Sequence, residues 1–120
     1  MTQVSILTIT EHSRFECLQK LYYKIQSQNY IQIKEWVIIE GSQDINLQCE
    51  NIRRLQEFID KKTEQTDITL RLIVPNTFMN FSKLYAIGYD FCDGEIVVHM
   101  SDSECHSNTK VYDAVRELKG

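Results

Sequence analysis

Apolar residues in this chain fall into two alternating kinds of stretch. Short continuous runs have the length and β-branched content of strands: Val4-Ser5-Ile6-Leu7-Thr8-Ile9, Trp36-Val37-Ile38-Ile39, Ile68 to Val74, and Ile96 to Met100. The second run is apolar throughout, which predicts a strand buried on both faces. Between these runs, apolar residues recur every three or four positions. Phe15, Leu18, Leu21, Tyr22 and Ile25 predict a first helix that ends near Gln28-Asn29, with Ser13 or Thr10 as its cap. Gln48, Ile52, Leu55, Phe58 and Ile59 predict a second, closing on Lys61-Lys62 where the macrodipole favours cations. Leu84, Ile87 and Phe91 predict a third, opened by Phe81-Ser82 and ended by Gly94. Val111, Ala114, Val115 and Leu118 predict a fourth, capped by Asn108 or Thr109. Gly41-Ser42-Gln43-Asp44 and Pro75-Asn76 read as turns.

The order is β-α-β-α-β-α-β-α. Such alternation predicts the α/β class, with a mostly parallel sheet flanked by helices on both faces. No linker, repeat or low-complexity segment interrupts it, so residues 1–120 are expected to form one domain. A chain of that length buries roughly two-thirds of its unfolded surface.

Composition narrows the chemistry. The chain is 42% hydrophobic and 25% charged, as a globular domain is. Its net charge of −4 argues against a nucleic-acid partner, which selects a basic stripe, but leaves room for a nucleotide pocket. There is no apolar run of membrane-spanning length and no signal-peptide pattern at the start, so a cytoplasmic location is expected. Cys17, Cys49, Cys92 and Cys105 form no C-x-x-C pair and read as reduced thiols. Cys105-His106 has no second pair with which to hold zinc.

In an open α/β sheet, ligands bind beyond the carboxyl ends of the strands. Strand one is followed by Thr10-Glu11-His12-Ser13, without the glycines of a dinucleotide fingerprint or a P-loop. There is no Gly-x-Ser-x-Gly elbow. The place of a phospho-acceptor aspartate after strand three holds Val74-Pro75-Asn76. His12 is isolated, and His99, inside strand four, reads as a residue that packs or hydrogen-bonds there. The strand ends are instead acidic and hydroxylic. Thr8 and Thr10 close strand one, Glu40 closes strand two, and Ser101, Asp102, Ser103 and Glu104 follow strand four. A carboxylate beside a glycine turn can accept the N–H of a planar base. Acids after strand four can hold a divalent cation, Mn or Mg, on a diphosphate.

These residues resemble the N-terminal half of GT-A glycosyltransferases of the large family-two type. Val4 to Thr10 with Arg14 is similar to that family's opening strand and Thr-Pro-Thr-Tyr-Asn-Arg loop, and Gln28-Asn29-Tyr30 to its Gln-Thr-Tyr. Glu35 to Asp44 resembles the strand ending Asp-Asp-Gly-Ser-Thr-Asp, one residue shorter. Tyr85-Ala86-Ile87-Gly88 and Gly94 to Val98 resemble its Arg-Asn-x-Gly helix and Gly-Glu-x-x strand. Met100-Ser101-Asp102-Ser103-Glu104 lies where the family carries its Asp-rich run, which in some large-DNA-virus members reads Met-Asp-Asp-Asp-Asp.

The resemblance implies a GT-A-like, Rossmann-like fold that binds a nucleoside diphosphate sugar, UDP being the expected type, for hexosyl transfer. It implies that Thr8, Thr10 and Glu40 line base and ribose, that Ser101 and Asp102 meet the diphosphate, and that Asp102 and Glu104 meet the metal. Lys83 would reach a phosphate. It names no catalytic residue. The chain also departs from the pattern: Tyr85-Ala86 replaces a cationic contact, Glu40 stands for two aspartates, and Ser101 and Ser103 stand for two acids of the Asp-rich run. Glu11 adds negative charge beside the expected diphosphate path. Family members continue into an acceptor-binding half that supplies the general base. That half is not among these residues, so two expectations follow. The chain is a nucleotide-binding domain completed by a second half or a partner, or it is a non-catalytic domain whose uncovered edges pair in an oligomer.

Overall fold

The computed structural model describes residues 2–119. Its elements are β1 (Val4–Thr10), α1 (Phe15–Gln26), β2 (Ile33–Glu40), α2 (Ile45–Thr63), β3 (Thr69–Ile73), α3 (Phe81–Phe91), β4 (Ile96–His99) and α4 (Lys110–Lys119). A 3-10 turn, His12–Arg14, leads into α1. All strand pairs are parallel and the sheet order is β3-β2-β1-β4.

That order explains where the helices lie. The chain steps from β1 to β2 to β3 in one direction, then returns past two strands to β4. Right-handed crossovers in opposite directions must pass over opposite faces. Accordingly α1 and α2 share one face, and α3 covers the other. Period-two alternation divides the strands the same way. Val4, Ile6, Trp36 and Ile38 pack with Leu18, Leu21, Ile25, Leu55, Phe58 and, from α4, Val111. Leu7, Ile9, Val37 and Ile39 pack with Leu84 of α3. The register pairs Ile6 with Trp36 and Leu7 with Val37, so like faces like across β1 and β2. Both clusters are apolar, and burying each large aliphatic side chain contributes roughly 1.5–3 kcal/mol.

The helix ends differ from the sequence reading in instructive ways. Neither Ser13 nor Thr10 caps α1; its cap position is Arg14, without a side-chain bond. The Ser13 hydroxyl donates to Glu11 and the Thr10 hydroxyl to Asp102. Asp44 caps α2, accepting from the Asn46 and Leu47 amides, and Asn80 caps α3 through the Lys83 amide. At the start of α4, Gln28 accepts from the Val111 amide through its side chain, while Asn108 accepts from Lys24 instead.

Gly94 is not a left-handed helix terminator: α3 ends at Phe91, and no described glycine has a positive φ. Its requirement is space. A Cβ on Gly94 would lie 2.5 Å from the Ser5 amide nitrogen and 2.8 Å from the Val4 carbonyl carbon. The Gly94 amide donates to Ser5 Oγ at 2.8 Å. Ser5 in turn donates to the buried carboxylate of Glu35, which also accepts from Arg71 at 2.7 Å and from the Asp93 amide at 2.5 Å. Four segments therefore meet at the amino end of the sheet. Burial opposes ionisation of Glu35, but the hydrogen bonds from Ser5, Asp93 and Arg71 outweigh it and hold its carboxyl below the ordinary value.

Two expectations follow. Gly94→Ala meets rigid backbone and should lower stability by about 2 kcal/mol. Gly88→Ala meets only the side-chain ends of Leu7 and Ile39, and should stay within about 1 kcal/mol of the parent. Urea midpoints compare the two, and equal midpoints would contradict the close-approach argument. Glu35, with its folded pKa depressed, stabilises the fold fully above pH 4.5 and loses that contribution as pH falls through the folded value. Glu35→Gln should therefore flatten the acid limb of a stability–pH profile. An unchanged slope would show that other carboxylates govern it.

Candidate functional site

The strand-order reversal falls between β1 and β4, and in open α/β sheets the crevice outside such a reversal is where ligands bind. Three side-chain bonds close the sheet beneath it. Trp36 donates from its indole to Thr8 Oγ1 at 2.9 Å, and Thr8 donates to the Met100 carbonyl at 2.7 Å. Thr10 donates to Asp102 Oδ2 at 2.7 Å. From the start of α1, Arg14 Nε donates to Asp102 Oδ1 at 2.9 Å. The Asp102 side chain is 0% exposed, whereas Arg14 remains 26% exposed. Further Arg14 nitrogens lie 3.5 Å from Glu11 and from the Ile9 carbonyl.

Each residue predicted for the site can now be located. Thr8 is fully buried among core residues, and its hydroxyl is committed within the sheet. Thr10 and Asp102 are brought together. Glu40 is buried and faces its own turn, accepting from the Ser42 amide at 2.5 Å, the Ser42 hydroxyl at 3.0 Å and the Asn51 amide group. It shapes the Gly41–Asp44 turn from below. Ser101 bonds Ser103 through their hydroxyls at 2.8 Å, and its carbonyl meets the His106 ring at 2.8 Å. Lys83 is exposed on the first turn of α3.

Two clefts open here. One, of about 310 Å³, lies between the loop after β1 and the turn after β2, and is lined by Glu11, His12, Ser13, Ser42, Gln43 and Asp44. The other, of about 380 Å³, lies between α1 and the loop after β4, with Lys20, Lys24, Asp102, Glu104 and His106 in its wall. Asp102 and Glu104 thus share a cleft, but not with Glu40 or Thr8. Over the far side of the crevice, Tyr85 Oη meets His99 Nε2 at 2.8 Å, the rings edge to face at 4.6 Å. Burial holds the His99 imidazole below its ordinary pKa and raises the Tyr85 phenol. The bonds these residues make (Tyr85 with His99, Arg14 with Asp102, Ser42 and Asn51 with Glu40) are not indicated by the sequence, and Asn51 stands in no motif. The Arg14–Asp102 contact joins segments 88 positions apart, whereas Ser42 meets Glu40 within its own turn.

The donor set does not fit a resident divalent cation. Both Asp102 oxygens already accept hydrogen bonds, one of them from a guanidinium. Like charges about 4 Å apart repel by roughly 4 kcal/mol per unit pair at an effective dielectric near 20. Glu104 is exposed, and among the described residues no three His, Cys, Asp or Glu side chains are grouped to hold a metal ion.

No family model and no curated protein matches the chain. Solved structures do. S. aureus TarS 1-349 superposes with a TM-score of 0.71 and 15% identity, over 98% of this chain and 32% of that one. The same protein in complex with UDP gives 0.69 at 15% identity, again over 98% and 32%. Its complex with UDP-GlcNAc gives 0.67 at 12% identity, over 98% and 31%. This chain therefore spans about a third of the length of those structures. The likeness establishes the architecture: an α/β fold of GT-A-like form, with a four-stranded parallel sheet flanked by helices.

Proposed function

We propose that this chain is the nucleotide-sugar-binding half of a glycosyltransferase-like protein. It takes a nucleoside diphosphate sugar, UDP being the base-bearing part, at the crevice between β1 and β4. Its hexosyl group passes to an acceptor once a second half or a partner completes the site. The observation that carries this reading is the open reversal point itself. Two clefts of ligand size flank it, and the fold aligns over almost its whole length with a protein solved in complex with UDP and with UDP-GlcNAc.

Base and ribose are assigned to the cleft between Glu11–Ser13 and Ser42–Asp44. Glu40 holds that wall from behind, fixing the Ser42 amide and hydroxyl. The diphosphate then runs past Arg14 toward Ser101 and the loop after β4. No described residue is assigned as general base.

The test is a titration of UDP into the chain, followed by amide NMR. Shifts should cluster at residues 11–14, 42–44 and 101–104. An absence of binding up to millimolar UDP, with or without manganese, would overturn the reading, as would shifts confined to the Glu35–Gly94 end.

A second reading, a non-catalytic domain that assembles with other copies, draws on a different observation. β3 and β4 are both edge strands, and Phe78, Phe81, Tyr89 and Phe91 are exposed on and beside α3. Unpaired strand edges invite pairing with another chain. Light scattering at high concentration should then give at least twice the 14.1 kDa monomer mass, and a monomer would count against assembly.

A further inference from the structure

The loop after β4 carries its acid in an unusual state for a cation seat. Asp102 points inward, fully buried, and both of its oxygens are taken by Thr10 and Arg14. A cation coordinated by a carboxylate must reach its oxygens directly, at about 2.0–2.6 Å, and the Asp102 side chain is closed to solvent. Here the positive charge beside Asp102 is already supplied, covalently, by the protein. Arg14 is locked through Nε, leaving its two terminal nitrogens with only long contacts at 3.5 Å, and the side chain stays partly exposed. A guanidinium held in that way presents paired donors suited to phosphate oxygens. Lys20 and Lys24 stand in the wall of the adjoining cleft, adding positive charge on the same side.

Resting on the reading given above, we propose that Arg14, oriented by Asp102, neutralises the pyrophosphate of the bound nucleotide, so that binding needs no divalent cation.

The experiment titrates UDP into the full chain by calorimetry, once in EDTA and once in excess manganese. A parallel arm follows manganese alone by its electron paramagnetic resonance signal. Affinity for UDP should agree within about twofold between the two buffers, and manganese alone should remain free. Arg14→Gln should weaken UDP by about tenfold or more, the loss of a charge-assisted contact, while Arg14→Lys should recover part of it. Because Arg14→Gln leaves a buried carboxylate unpaired, the double variant Arg14→Gln/Asp102→Asn is included. It removes both charges together and should fold with the same loss of affinity. UDP binding that appears only with manganese, or a double variant with parental affinity, would overturn the inference and leave the site reading intact. No UDP binding in either buffer would overturn both.

Discussion

The contact on which the crevice depends is the carboxylate of Asp102, held between Thr10 at the end of β1 and Arg14 at the start of α1. It joins the loop after β4 to β1, which pairs with β2 on one side and with β4 across the reversal point. Buried ion pairs contribute little net stability, because desolvation offsets attraction, but breaking one by removing a single partner is costly. The value of this one lies in position. It ties the loop after β4 to the start of α1 and holds the partly exposed Arg14 side chain beside that loop.

The opposite end of the sheet is organised by the same kind of device. There Glu35 gathers Ser5, Arg71 and the Asp93 amide, and Gly94 approaches close enough to bond Ser5. The amino end thus has one buried carboxylate, Glu35, and the carboxyl end two, Asp102 and Glu40, all satisfied by donors, with mainly apolar residues between. Buried charge without donors would be strongly unfavourable, so each acid specifies which segments must meet. The apolar layers supply the stabilising free energy. The acids supply register between loops that hydrophobic packing alone would leave free to slide.

Much of the architecture was legible in the chain because periodicity is a local property. The apolar run at Trp36–Ile39 and the three-and-four spacing at Leu18, Leu21, Tyr22 and Ile25 each declare their element without reference to the rest. Their buried faces are those the spacing implies. The site was legible only in outline. Thr10 and Asp102 were both recognised, but not their bond, and Thr8 and Glu40 were read as facing a ligand when their oxygens are engaged inside the sheet and the turn. Arg14 drew notice as part of a motif, with nothing nearby to announce its partner. Gly94 was read as a helix end because glycines commonly serve there; its true constraint, the backbone of β1, is 89 positions away. Hydroxyls and carboxylates can satisfy themselves with any segment the topology delivers, so their direction is decided by the tertiary fold.

The hydrogen-bonded line from Trp36 through Thr8 to the Met100 carbonyl has an optical consequence. Trp36 is the sole tryptophan of the chain and is fully buried, so its emission is unmixed and shielded from solvent quenching. Its indole is tied, through one hydroxyl, to the last peptide group before Ser101. A rearrangement that shifts the Met100 carbonyl would alter the hydrogen bonding of the indole, so tryptophan emission offers an intrinsic gauge of the segment leading into that loop.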